Sequence, residues 1–134
     1  MDIYERLGVR KRVNGAGLVT RLGGSLMQAA VLDSMREAAG AYVDLAELQT
    51  KAGEIIAMHT GAEAGMVTSG AAAALTLAAA ACLAGNDVAR MERLPDAEGM
   101  ANEIIIHRAH RTGYDHALRA AGARLVEIGF NDRG

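Results

Sequence analysis

The sequence predicts an α/β fold, with a parallel or mixed sheet covered by helices. Two aliphatic runs, Glu103–His107 and Arg124–Ile128, flank a helical stretch from Tyr114 to Ala121. A shorter run, Gly65–Thr68, precedes a long alanine-rich helix. The resulting order of strand, helix, strand, helix, strand is that of βαβ architectures. Three strands do not complete such a sheet, which is usually covered by helices on both faces and extended by further strands. The chain is therefore expected to be one part of a larger unit.

Residues 1–28 read as an irregular leader with five glycines, Gly8, Gly15, Gly17, Gly23 and Gly24, where backbone can run close to a ligand or another chain. Ala29 to Ala39 reads as a short helix ending near Gly40. Asp44 is a good N-cap with Glu47 three residues on. Leu45, Leu48, Ala52, Ile55, Ile56 and His59 follow at helical spacing, and Gly61 ends that helix. After the strand Gly65–Thr68, Ser69 is expected to cap a buried core helix from Gly70 to Leu83, stopped by Gly85-Asn86-Asp87. Residues 88–102 read as a charged loop holding the single proline, Pro95. Glu103–His107 then reads as a buried strand, and Gly122 closes the helix before the last strand.

Composition narrows the classes. The chain has 134 residues, 51% hydrophobic and 22% charged, with 3% aromatic and no Trp, so Ala, Leu, Val, Ile and Met must fill the core. Alanine-rich helices bury little area each, which leaves apolar surface in need of a partner. A net charge of -2, with no basic patch interleaved with aromatics, speaks against nucleic acid. The basic stretch Arg6, Arg10, Lys11, Arg12 reads as a solvated terminus. Cys82 is the single cysteine, which permits no internal disulfide and fits the cytoplasm; it is expected to be an inert buried thiol. No apolar leader or membrane-length run is evident.

Three constellations could carry chemistry. Val67-Thr68-Ser69-Gly70-Ala71-Ala72 turns from an extended segment into a helix N-terminus, where free N–H groups and the helix dipole suit an anion such as phosphate. By residue type alone an ordinary serine cap on an alanine-rich helix is the better reading. Ile106-His107-Arg108-Ala109-His110-Arg111-Thr112-Gly113 follows a strand at its C-terminal end, where α/β sheets place ligands, and an imidazole there could stack on a flat ring or move protons. His107, His110, Asp115 and His116 could be assembled into a metal site on paper, but no HExxH or paired CxxC supports one. In Asn14–Ser25, glycines alternate with Asn, Thr, Arg and Ser, and Arg21 could grip a carboxylate through two bonds.

These segments, in this order, resemble the opening of the selenocysteine synthase-like (L-seryl-tRNA selenium transferase-like) family of pyridoxal 5'-phosphate (PLP) enzymes, in particular its members acting on amino sugar acids. The stretches that carry the resemblance are NGAGLVTRLGGSLM, VDLAELQTKAGEIIAMHTGAEAGMVTSGAAAALTLAAAACLAGND and NEIIIHRAHRTGYDHALRAAGARLVEIG, covering most of residues 13–129. The resemblance implies the N-terminal part of an aspartate aminotransferase-like (fold type I) PLP-dependent transferase domain, with 1–28 as a substrate-side segment and 29–134 as the start of the PLP-binding large domain. It implies that Ser69, Gly70 and Ala71 hold the cofactor phosphate, and that His110 lies over the pyridine ring, the register against His107 being open. Thr20, Arg21 and Gly24 would lie near the substrate.

The implied activity is that of a PLP-dependent lyase or transferase, with α,β-elimination chemistry on an amino acid or amino sugar acid, in a homo-oligomer. Phe130 and Asn131 stand where the selenium transferases tend to have two threonines, so tRNA is not expected as a partner. The alternatives are a non-catalytic fragment or another α/β phosphate binder. The chain has two lysines, Lys11 in the leader and Lys51 before any cofactor turn, and neither sits where the family places its Schiff-base lysine. The aspartate for the pyridine nitrogen is also expected downstream, and Asp132 is too near the end to take that role. The sequence thus reads as a truncated piece, inactive alone.

Overall fold

The computed structural model describes residues 1–130. Asn131 and Asp132 lie outside the described residues. The chain falls into two compact units, Met1–Glu47 and Leu48 onward.

In the first unit the leader is not wholly irregular. Helix α1 (Ile3–Arg6) is a single turn closed by a full capping box: Glu5 N–H donates to the Asp2 carboxylate at 3.0 Å, and Asp2 N–H donates to the Glu5 carboxylate at 2.9 Å. The motif Asp2-Ile3-Tyr4-Glu5 is legible in the sequence and was masked by the glycines that follow. Helix α2 (Ala29–Ala38) stands within a residue of its expected bounds. Asp44 caps the next helix as expected, accepting from Ala46 and Glu47 N–H at 2.8 and 3.0 Å.

Helix α3 (Leu45–Thr60) ends at Gly61, and helix α4 (Ala71–Ala84) ends at Gly85. The run Gly65–Thr68 between them is not a strand. A strand needs a ladder partner, and among the described residues no backbone pairs with it. The Val67 carbonyl instead accepts from the Gln49 amide at 2.7 Å.

The charged stretch after α4 is not all loop: Asp87 accepts from Ala89 and Arg90 N–H and starts helix α5 (Val88–Arg93). The residue read as part of a stop signal is thus also the next N-cap, a role Asp fills as readily as it ends a turn.

Strand β1 (Glu103–His107), helix α6 (Asp115–Ala120) and strand β2 (Arg124–Ile128) form one βαβ unit, with β1 and β2 parallel and Ile104 opposite Leu125. β1 is not buried on both faces. Its exposure alternates: Ile104 packs on the core, whereas Ile105 on the other face is 66% exposed. A strand with neighbours on one face has this period of two.

The core of this unit is small. Leu83, Ala97 and Ala123 form its centre, with Leu94, Met100, Ile104 and Leu118 packed on it, and Ala79, Ala84, Ala117 and Ala121 are also buried. α4 touches α6, where Thr76 Oγ1 donates to the Ala117 carbonyl at 2.9 Å. α4 is apolar on every side, yet it buries one stripe through Ala79, Leu83 and Ala84. Cys82 lies off that stripe and is exposed, contrary to its expected burial, and Leu77 is 48% exposed. Among the described residues no helix is long and apolar enough to cross a membrane.

Candidate functional site

In the second unit the expected phosphate turn stands at the start of α4. Ser69 is not the N-cap. Gly70 is, with φ 145° and ψ 173°, and no side chain bonds the first turn. A φ of 145° lies where L-residues are strained, so glycine suits this position. The hydroxyl nearest this end, Thr68 Oγ1, is turned onto the Gly70 carbonyl at 3.0 Å. Ser69 is exposed, and its hydroxyl has no hydrogen-bond partner among the described residues.

The first turn of a helix leaves its N–H groups unpartnered and carries the positive end of the dipole. A Cβ built on Gly70 would meet nothing within 4 Å, so the approach is open. Uncapped donors, a free hydroxyl and open space form a cradle that fits a phosphate.

His107 ends β1, and a 3-10 turn, Arg108–His110, follows it. His107 Nδ1 accepts from Ala109 N–H at 3.2 Å. The other side of its ring lies against Gly129, at the end of β2: a Cβ on Gly129, whose φ is 77°, would fall 2.2 Å from His107 Nε2. His107 is thereby wedged between the two strand ends. His110 is exposed, with its ring centroid 5.4 Å from that of His107 and a tilt of 48° between the planes.

Around this turn lies a charge cluster that sequence reasoning missed. Arg108 Nε donates to Glu127 Oε2 at 3.1 Å. Arg111 bonds Glu127 Oε1 through Nη1 and Asp115 through Nε. Asp115 is 5% exposed and also accepts from Thr112 N–H at 3.3 Å. The Arg111 hydrogen bond holds the Asp115 carboxyl below its ordinary value, against the opposing effect of burial. The same bond raises Arg111. The i, i+4 spacing of Arg111 and Asp115 was visible in the sequence, but Glu127 joins them only through the β1–β2 register. His116 takes no part: its Nδ1 lies 3.0 Å from Arg119 Nη2. Among the described residues no three His, Cys, Asp or Glu side chains gather as a metal set.

A separate open groove of about 830 Å³ lies against α4, lined by Met66, Thr68, Leu77, Ala81, Met91 and Leu94 among others. Neither Ser69, Gly70 nor His110 lines it.

In the first unit, Thr20–Leu22 form a 3-10 turn closed by Gly24 N–H, which donates to the Val19 carbonyl at 3.1 Å. Thr20 and Arg21 are exposed, and their side chains have no partner among the described residues; Gly24 is half-buried in the closing bridge. Lys11 pairs with Asp2, and Lys51 pairs with Glu54 at 2.9 Å on α3.

A βαβ unit with an open helix N-terminus and a histidine turn at a strand's C-terminal end makes the second unit an α/β structure. Comparison with known proteins gives it the aspartate aminotransferase-like, fold type I fold. No protein-family model matches the chain. It is 39% identical to D-glucosaminate-6-phosphate ammonia lyase of Salmonella typhimurium over 98% of its own length and 37% of that protein's. It is 37% identical to 5'-C-glycyluridine monooxygenase-decarboxylase of a Streptomyces species, over 94% of the chain and 33% of the relative. It is 29% identical to L-seryl-tRNA(Sec) selenium transferase of Geotalea daltonii, over 96% and 33%. The solved structure of D-glucosaminate-6-phosphate ammonia-lyase superposes with a TM-score of 0.93 at 38% identity, over 97% of the chain and 36% of that structure. The chain is homologous to these selenocysteine synthase-like enzymes and spans about a third of their length.

Proposed function

We propose that the chain supplies the cofactor-phosphate and ring-facing part of a PLP-dependent lyase or transferase acting on an amino acid or amino sugar acid. The observation that carries the reading is the open start of α4. In this reading the backbone N–H groups of the first turn, beginning at Ala71, and the Ser69 hydroxyl hold the phosphate, and Gly70 keeps side chains out of its way. His110 lays its imidazole on the pyridine ring; His107 is already engaged by Ala109 and Gly129, which favours His110 for that role. Thr20, Arg21 and Gly24 form a turn that presents a hydroxyl and a guanidinium to a substrate carboxylate or phosphate.

When bound, PLP supplies an electron-withdrawing ring that takes up charge from the substrate carbon. The chain's own groups bind and orient, and both lysines are held in ion pairs. The reading includes elimination as the reaction type, residues 1–28 as a substrate-side segment, residues 29–134 as the start of the cofactor domain, a homo-oligomeric assembly, and the cytoplasm as compartment, in keeping with a single cysteine. Ser69→Asp tests it: a carboxylate set against a dianionic phosphate reverses a favourable interaction. PLP affinity, followed by fluorescence titration, is expected to fall by about tenfold or more, the scale of about 1.4 kcal/mol. Equal affinity in the variant and the natural chain would remove the phosphate assignment.

A further inference from the structure

The turn that carries His110 has little backbone holding it. One long hydrogen bond, Arg111 N–H to the Arg108 carbonyl at 3.3 Å, closes it. The remaining restraints come from side chains, and two of them converge on one carboxylate. Glu127 stands on β2, opposite Ile106 in the parallel register, beside the end of β1. Each of its oxygens takes a different arginine: Oε2 accepts from Arg108 and Oε1 from Arg111. These two arginines bracket Ala109 and His110. Arg111 is tied in turn to the buried Asp115 on α6. Three elements are thus joined around a two-residue segment whose one aromatic side chain is His110.

We propose that Glu127 is a positioning residue for His110, clamping both flanks of its turn to the neighbouring strand. The Glu127 and Arg111 side chains are each 34% exposed, so solvent screens the clamp and its effect is local. The consequence for cofactor binding rests on the reading above, in which His110 faces the pyridine ring; the clamp itself does not.

The test uses the full 134-residue chain without cofactor, comparing the natural chain with E127Q and with E54Q, which breaks an exposed ion pair on α3. Histidine ring signals and amide hydrogen exchange are read by NMR, with His59 on α3 reporting that the chain is folded. E127Q is expected to move or broaden the His110 ring signal and to speed exchange of the Ala109–Arg111 amides about two- to fivefold, while His59 stays in place. E54Q is expected to change neither. An E127Q chain with its His110 signal and exchange unchanged overturns the proposal. Should E127Q lose the His59 signal through unfolding, R108Q, which cuts a single arm, is read in the same way. A PLP titration of the same variants separates the two readings: a displaced His110 signal with unaltered PLP affinity upholds the clamp and counts against His110 as the ring-facing residue.

Discussion

Asp115 sets the acid response of the candidate site. Its carboxylate is buried, bonded to Arg111 and to Thr112 N–H, and held below the ordinary carboxylate value. A folded-state value below the unfolded one means that the ionised form is favoured in the folded protein. The stabilisation is complete above the unfolded value of about 3.9 and is lost as pH falls through the lowered folded value. Asp115→Asn is therefore expected to lower the thermal midpoint at pH 7, with the gap to the natural chain narrowing as pH falls below the unfolded value of about 3.9. Circular dichroism melts across this range check it; a gap that widens in acid would contradict the sign. Single residues were legible to different degrees. Ser69, Gly70 and Ala71 could be picked out because small residues before an alanine run mark a helix start, a local signal. Glu127 could not, because its partners lie 16 and 19 positions away and meet it only through strand register.

At the scale of elements, Asp44 and Gly61 bound α3, and Gly85 closes α4, as local stop and start signals require. Helices α1 and α5 carry caps too, at Asp2 and Asp87, but are too short to show a helical period. The other errors fall where burial or pairing decides. Gly65–Thr68 has strand composition but no ladder partner among the described residues, and α4 has a core composition but buries one stripe. That stripe makes Leu83 the largest side chain at the centre of a core otherwise built from alanines. Leu83→Ala leaves a cavity that neighbouring alanine methyls cannot fill. It is expected to cost about 2–4 kcal/mol, a large part of the stability of a small domain. Urea unfolding followed by circular dichroism gives the value; a loss below about 0.5 kcal/mol would mean that the site collapses freely or that Leu83 is not in the core.

At the scale of the molecule, the apolar surface left open is the dominant feature. Met66, Val67, Leu75, Leu77, Met91 and Ile105 are all exposed within the second unit, and Met66, Leu77 and Met91 line the groove along α4. Open patches of this kind, with a two-stranded sheet whose outer edges are unpaired among the described residues, drive association. Purified chain is expected to be oligomeric or aggregation-prone, and light scattering on dilute samples checks this; a cooperative, monodisperse monomer would contradict it.

Side-by-side titration of the chain with pyridoxal 5'-phosphate and with pyridoxal, which lacks the phosphate, tests most directly whether the start of α4 receives the phosphate of PLP. The phosphorylated compound is expected to bind at least about tenfold more tightly, and Ser69→Asp to abolish the preference. Equal affinity for the two compounds would contradict a phosphate site at the start of α4.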